Sequence, residues 1–396
     1  MSVADAPEAD RAPGAPHPRM VDLVFGQQAA EAAFLSAWQG GRVHHAWLLT
    51  GPPGVGKATL AWRIARFLLA DAGPAEEAGG GLFGDDAASD KSSGSALALA
   101  RLDVPADHPV ARRLRALSEP RLHLMRRGGA GRTDAERAKA AQEGRFSNVI
   151  RVDEVRDLAR FIHLSATDSG RRVIIVDCAD DLNAAAANAL LKMLEEPPAR
   201  TVMLLVAHQP AALLPTIRSR CRVLRLAPLG PQDMARALEQ AGIAAGEGAA
   251  ALAELSGGSA GAAVRLVGMD GPALYAELVA LLDSLPQLDR PRALRLADGV
   301  AGRDAAMRLD LLASLVDRLT LRLARTGATG RPPATEIVPG EAALLARCAP
   351  TPAAARGWAA CAEEIASRIR HGRAVNLDPA ALVLDTVFKL CRGAAV

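Results

Sequence analysis

What this chain has little of sets the first limits. Its 396 residues hold only five lysines against 42 arginines. Together with abundant Ala, Gly and Pro, that imbalance reads as a genome-wide compositional bias, and a formal net charge of +3 gives no charge-based case for DNA binding. The five cysteines (Cys178, Cys221, Cys348, Cys361 and Cys391) form no CxxC pair, and none falls between residues 71 and 146. A zinc site or a disulfide framework is therefore not expected. No run of about 18 uncharged apolar residues is present, and the first twenty residues, MSVADAPEADRAPGAPHPRM, lack the apolar centre of a signal peptide. The expectation is a cytoplasmic protein with no membrane partner.

What is there is globular in character. Half of the residues are hydrophobic and 23% are charged, over a length that suits two or three domains. Residues 1–20, rich in Pro, Ala and Asp, read as a disordered tail. The apolar AWLLT (46–50) runs into a glycine loop and a long amphipathic pattern, which is strand, loop, helix. Residues 71–96 are low in complexity and read as a flexible insertion, with a flank to about residue 146 of mixed helix and loop. NVIRVDEVRDLARFIHLSA then suggests a short strand and a helix capped by Asp153. RRVIIVDC, TVMLLVAH and RCRVLRLAPL read as buried strands, with a helix over AAAANALLKMLEE that Pro197 and Pro198 stop. Strands alternating with helices predict an α/β fold whose parallel sheet is covered on both faces. After Pro228 the pattern is helical, divided by Gly257-Gly258 and a turn near 268–271.

The chemistry-bearing residues cluster by this reading at the carboxyl ends of the strands, where Lys57, Asp177 and His208 would lie. GPPGVGK (51–57) matches the phosphate-loop pattern GxxxxGK, with Gly51, Gly54, Gly56 and Lys57 as candidate nucleotide-binding residues. The Ser or Thr that should follow and hold magnesium is Ala58, and Thr59 points about 100° further round the helix. Asp177 ends its strand where magnesium could be held. The next residue, a Glu in hydrolysing relatives, is Cys178, and a thiol does not replace that carboxylate as a general base. Asp180 and Asp181 read as solvated loop or cap acids.

The segments HHAWLLTGPPGVGKATLA, DLNAAAANALLKMLEEPP, LLVAHQPAALLPTIRSRC and SGGSAGAAVRL resemble the clamp-loader branch of the AAA+ ATPases. The strong motifs cover 44–58 and 171–226, with weaker similarity to about 266 and over 368–388. The most diagnostic part is Ser219-Arg220-Cys221. The resemblance implies that Arg220 is an arginine finger reaching a neighbouring subunit's ATP site; taken alone, it reads as a surface arginine pairing with a carboxylate at a strand start. It places the cis sensor arginine of active motors at or near Gly261, with Arg265 one turn later, and a strand sensor at His208, which is either a hydrogen-bond donor or a plain polar strand end. It implies an AAA+ domain over 21–227 with a partly disordered insertion at 71–146, a helical lid over 228–268 and a helical collar over 269–396. No zinc is expected despite the four-cysteine module common in the family, no cofactor is required, and ATP or ADP at the loop stays open.

The function implied is that of a stator-like accessory subunit of a hetero-oligomeric clamp loader. Its partners would be the gamma/tau and delta subunits, and through them the sliding clamp and primed DNA. Three alternatives stand beside it: a gamma/tau-type ATP-hydrolysing motor, a stand-alone phosphate-loop enzyme, and a structural relic without partners. The motor reading requires Ser or Thr after Lys57 and Glu at 178, and neither is present.

Overall fold

The computed structural model describes residues 7–41, 43–70, 101–164, 170–244, 246–300, 302 and 305–394. The low-complexity stretch anticipated at 71–96 lies outside them. The chain divides into two compact units, Met1–Leu229 and Gly230–Val396.

The first unit is an α/β domain. In chain order it contains α1 (Gln28–Gln39), β1 (Ala46–Thr50), α2 (Lys57–Ala70), α3 (Pro109–Arg115), β2 (Leu122–Arg126), α4 (Asp134–Gln142), α5 (Val152–Leu164), β3 (Arg172–Asp177), α6 (Ala184–Glu195), β4 (Thr201–Ala207), α7 (Pro215–Ser219) and β5 (Arg222–Arg225). The five strands form one parallel sheet in the order β2-β3-β4-β1-β5. β1 and β4 are buried at every position, as unbroken apolar runs should be when helices cover both faces. α2 is buried almost all round, from Leu60 through Leu69, so it lies inside the domain rather than on it.

That burial traps two arginines, and their partners bear on the expectation of a disordered tail over 1–20, of which residues 1–6 lie outside the described residues. Arg66 donates to the carbonyl oxygens of Arg19 and Val21 and to the Asp22 carboxylate at 3.2, 2.7 and 2.9 Å. Arg63 donates to the Asp22 carbonyl and the Asp103 carboxylate. Buried guanidinium groups are costly without acceptors, and the backbone at 19–22 supplies them. Upstream, His17 caps the turn Pro18–Met20 and sets its ring edge against Trp62, while Glu8 and Asp10 pair with Arg19, Arg126 and His17. Residues 7–20 are thus an ordered strap.

Two smaller expectations also change. The flank before residue 146 contains the strand β2, whose half-buried edge position gives it a weak apolar pattern. NVIRV makes only an isolated bridge from Ile150 to Leu182, and α5 starts at Val152, so Asp153 lies inside the first turn rather than capping it.

The second unit is helical: α8 (Pro231–Gln240), α9 (Ala249–Ser256), α10 (Ala260–Gly268), α11 (Gly271–Asp283), α12 (Arg290–Asp298), α13 (Ala305–Thr329), α14 (Glu341–Cys348), α15 (Pro352–Ala374) and α16 (Pro379–Ala394). Gly257 ends α9 in the left-handed conformation at φ 63°, which glycine adopts without steric cost. α13 and α15 form the main helix pair around a core that includes Leu312, Leu319, Trp358 and Ile365. Gly327 permits their approach, since a Cβ there would lie 2.7 Å from the Thr351 carbonyl oxygen. One polar network crosses this core. Glu341, fully buried, accepts from Tyr275 Oη at 2.6 Å, Arg322 Nε at 2.7 Å and the Ile337 amide at 2.7 Å.

Candidate functional site

The glycine loop joins β1 to α2, and its backbone needs the residues it has. Gly51, Gly54 and Gly56 have φ of 143°, 74° and 98°. A Cβ on Gly51 would also stand 2.4 Å from the carbonyl oxygen of Leu226. Gln27, buried, fixes the loop from below. Its side-chain amide donates to the carbonyls of Val55 and Ala227 and accepts from the Ala227 amide. No sequence pattern singled out Gln27, because an isolated Gln at a helix start carries no motif.

Lys57 is buried, and its ammonium donates to the carbonyl oxygens of Gly51 and Pro52, both at 2.6 Å. Burial lowers its pKa to about 8, although the Cys178, Asp180 and Asp177 side chains oppose the shift. Asp177 ends β3 and is also buried. Its carboxyl is pushed up to about 7, first by burial and then by the charge of Asp10, against the opposing charges of Lys57 and Arg127. The strap therefore reaches the electrostatics of this site, a contribution that the composition of residues 1–20 did not disclose.

Asp180 is not the solvated acid that its position suggested. It accepts from the Cys178 thiol at 2.6 Å and from the amides of His208 and Gln209 at 3.1 and 2.9 Å, tying the ends of β3 and β4 together. Burial alone would raise its pKa, but these hydrogen bonds hold it below the ordinary carboxylate value. Burial and Asp180 push the Cys178 thiol well up, so it is a neutral donor and not a base at physiological pH. His208 is exposed, and its pKa is lowered by desolvation and by the Lys57 charge.

Lys57, Asp177, Cys178, Asp180 and His208 thus share the carboxyl end of the sheet. The backbone there has the form of a phosphate cradle, but the side chains do not fit magnesium. Position 58 carries no hydroxyl, and a neutral thiol stands where an activating carboxylate would be needed. Among the described residues no cluster of His, Cys, Asp or Glu could hold a metal ion, and all five cysteines are free. No helix among them is long and apolar enough to cross a membrane.

Arg220 stands elsewhere. It follows α7 and precedes β5, whose Arg222 is level with Trp47 near the start of β1, so it lies at the amino end of the sheet. Its Nη1 donates to the Thr216 carbonyl at 3.0 Å, and its Nη2 lies 2.9 Å from Glu195. Gly261 is the second residue of α10, in the helical unit, and Arg265 is exposed on the same helix.

A five-stranded parallel sheet in this order, with a glycine loop between β1 and α2 and a helical unit following in sequence, is a phosphate-loop α/β architecture of the kind that the resemblance to the AAA+ ATPases implies. A family model described as "DNA polymerase III, delta subunit" matches residues 105–230, a span that includes Asp177, Cys178, His208 and Arg220. The chain is similar to the DNA polymerase III subunit delta' of Pseudomonas aeruginosa, 38% identical over 259 residues, which are 63% of this chain and 62% of that protein. It is similar also to the subunit delta' of Escherichia coli, 32% identical over 232 residues, 59% of this chain and 57% of that protein. The gamma/tau subunit of Mycobacterium bovis is 30% identical over 224 residues, 56% of this chain but 31% of that protein. The chain thus matches less than two thirds of the length of these curated relatives, and the delta-prime likeness is favoured over the gamma/tau one.

Proposed function

We propose that this chain is a delta-prime-type accessory subunit of a bacterial clamp loader, which supplies Arg220 to the ATP site of a neighbouring subunit and does not hydrolyse ATP itself. The observation that carries this reading is the position of Arg220. It sits at the amino end of the sheet, whereas its own phosphate loop sits at the carboxyl end, with roughly 10 Å of strand between the two levels. A side chain placed there faces away from its own loop, as a group acting in trans must. The chemistry of the loop supports the same division of labour, because Ala58 and the neutral, buried Cys178 remove two parts that a motor needs.

In this proposal the assembly opens the sliding clamp and places it on primed DNA in the bacterial cytoplasm. The gamma/tau and delta subunits are the partners. Residues 228–268 act as the lid, and residues 269–396 act as the collar that holds the ring. No zinc and no bound cofactor are required for the finger to work. The test is the ATPase rate of the reconstituted assembly with Arg220→Ala. Removal of a finger costs up to ~10³-fold or more at the site it serves. A strong drop in a ring that still assembles supports the reading, and a wild-type rate removes it.

A further inference from the structure

The two cis contacts of Arg220 give the finger a support that no motif announces. Glu195 is the last residue of α6, and Arg220 follows the last residue of α7. Both helix ends are fixed from inside. Leu194 and Ile217, neighbours of the pair in sequence and in space, are buried in the same core cluster beneath the sheet. His45 Nε2, at the entrance to β1, lies 3.1 Å from the Leu194 carbonyl oxygen and pins the end of α6. On the other side the Thr216 carbonyl accepts from both Ser219 Oγ at 3.1 Å and Arg220 Nη1 at 3.0 Å, which holds the turn that carries the finger. The Glu195 carboxylate is thus presented on an anchored backbone to a guanidinium on another anchored backbone.

We infer that Glu195 is a positioning residue for Arg220, a brace that sets the guanidinium plane before a neighbouring subunit docks. The inference rests on the proposed function above. A guanidinium has five N–H donors; one on Nη1 is bonded to the Thr216 carbonyl, Nη2 is ion-paired with Glu195, and Nε–H takes part in neither contact. The Arg220 side chain keeps 37% of its surface exposed. The free edge can therefore meet a phosphate while the braced edge stays bonded. Without Glu195 the long side chain regains rotamer freedom, and ordering it again is charged against each catalytic encounter.

The test is a double-mutant cycle in the reconstituted assembly with partner subunits, clamp and primed DNA. It uses Glu195→Gln, Glu195→Asp, Arg220→Ala and the Glu195→Gln/Arg220→Ala pair. Glu195→Gln is expected to lower kcat for ATP by about two- to fivefold, the range of a half-exposed ion pair, with KM little changed. Glu195→Asp should recover part of the loss, and the double variant should match Arg220→Ala alone. Assembly by sizing and the Tm of the free chain should not move. An unchanged or raised kcat in Glu195→Gln overturns the brace, as does a further loss when it is added to Arg220→Ala. If Arg220→Ala itself runs at the wild-type rate, the finger reading fails and the brace with it. If only Glu195→Gln is silent, the brace alone fails.

Discussion

Asp10 and Arg126 form an ion pair across 116 residues of sequence, and the carboxylate is only 1% exposed. Arg126 is the last residue of β2, and its partner in register on β3 is Asp177. The pair thus brings the N-terminal strap to the carboxyl end of the sheet, next to the acid that ends β3. His17 adds a third member, with Nε2 3.0 Å from Asp10 Oδ2.

Asp10→Ala should therefore destabilise the protein by about 1–3 kcal/mol, since it removes the nearer carboxylate from Arg126 and His17 and leaves them only Glu8, at 3.5 and 3.4 Å. The urea midpoint measures it, and a shift inside experimental error would show that the strap adds nothing to the fold. Burial pushes the Asp10 carboxyl up, but the neighbouring His17 ring and the charge of Arg126 outweigh it and hold the group below its ordinary value. A depressed carboxylate stabilises the fold above its unfolded pKa near 3.8, and that contribution is lost as pH falls through the lower folded value. The gap between wild type and Asp10→Ala should then narrow below about pH 4.

The strap shows where sequence reasoning stops. β1, β3 and β4 were legible because burial on both faces demands unbroken apolar runs, and the phosphate loop was legible because its glycines and Lys57 have fixed spacing. Arg220 was legible through its triplet. Residues 7–20 have the composition of a solvated tail, and what holds them are arginines at 66, 126 and 127, far along the chain. The trace available in the sequence was two arginines inside the apolar helix pattern WRIARF, which require buried acceptors. Glu341 was equally hidden, since an acid at the start of a helix ordinarily faces water.

Asp177 gives the opposite pH signature from Asp10. Its pKa of about 7 in the fold stands above the ordinary 3.8, so the folded chain holds this proton more tightly than the unfolded one. The resulting stability is complete below pH ~4 and is lost as pH rises toward 7. Asp177→Asn keeps the neutral form at every pH. The variant is expected to be more stable than wild type by about 2–4 kcal/mol at pH 8, with the difference shrinking toward pH 5. Thermal melts at the two pH values decide it, and a difference independent of pH would refute the raised pKa.

In the helical unit, Glu341 neutralises Arg322, whose side chain is 4% exposed and whose other carboxylate partner, Glu254, is 44% exposed. Glu341→Gln keeps the shape but removes the buried counter-charge, with an expected loss of about 3 kcal/mol. Tyr275→Phe removes one hydrogen bond to the same carboxylate and should cost about 1 kcal/mol. Denaturant melts rank the two. Equal losses would mean that the network acts through packing and not through charge.

The last expectation concerns the chain by itself. Lys57 is bonded to its own loop carbonyls, position 58 has no hydroxyl, and the Cys178 thiol donates to Asp180 rather than accepting a proton from water. The last two of these each remove a separate requirement for hydrolysis: magnesium, and activation of the nucleophile. Purified alone with magnesium, primed DNA and clamp, the protein should show no steady-state ATP turnover above that of the Lys57→Ala variant. Turnover abolished by Lys57→Ala would make the chain a motor despite Ala58 and Cys178. It would also return Arg220 to a secondary place, because a subunit that burns its own ATP does not need a neighbour's site to account for its chemistry.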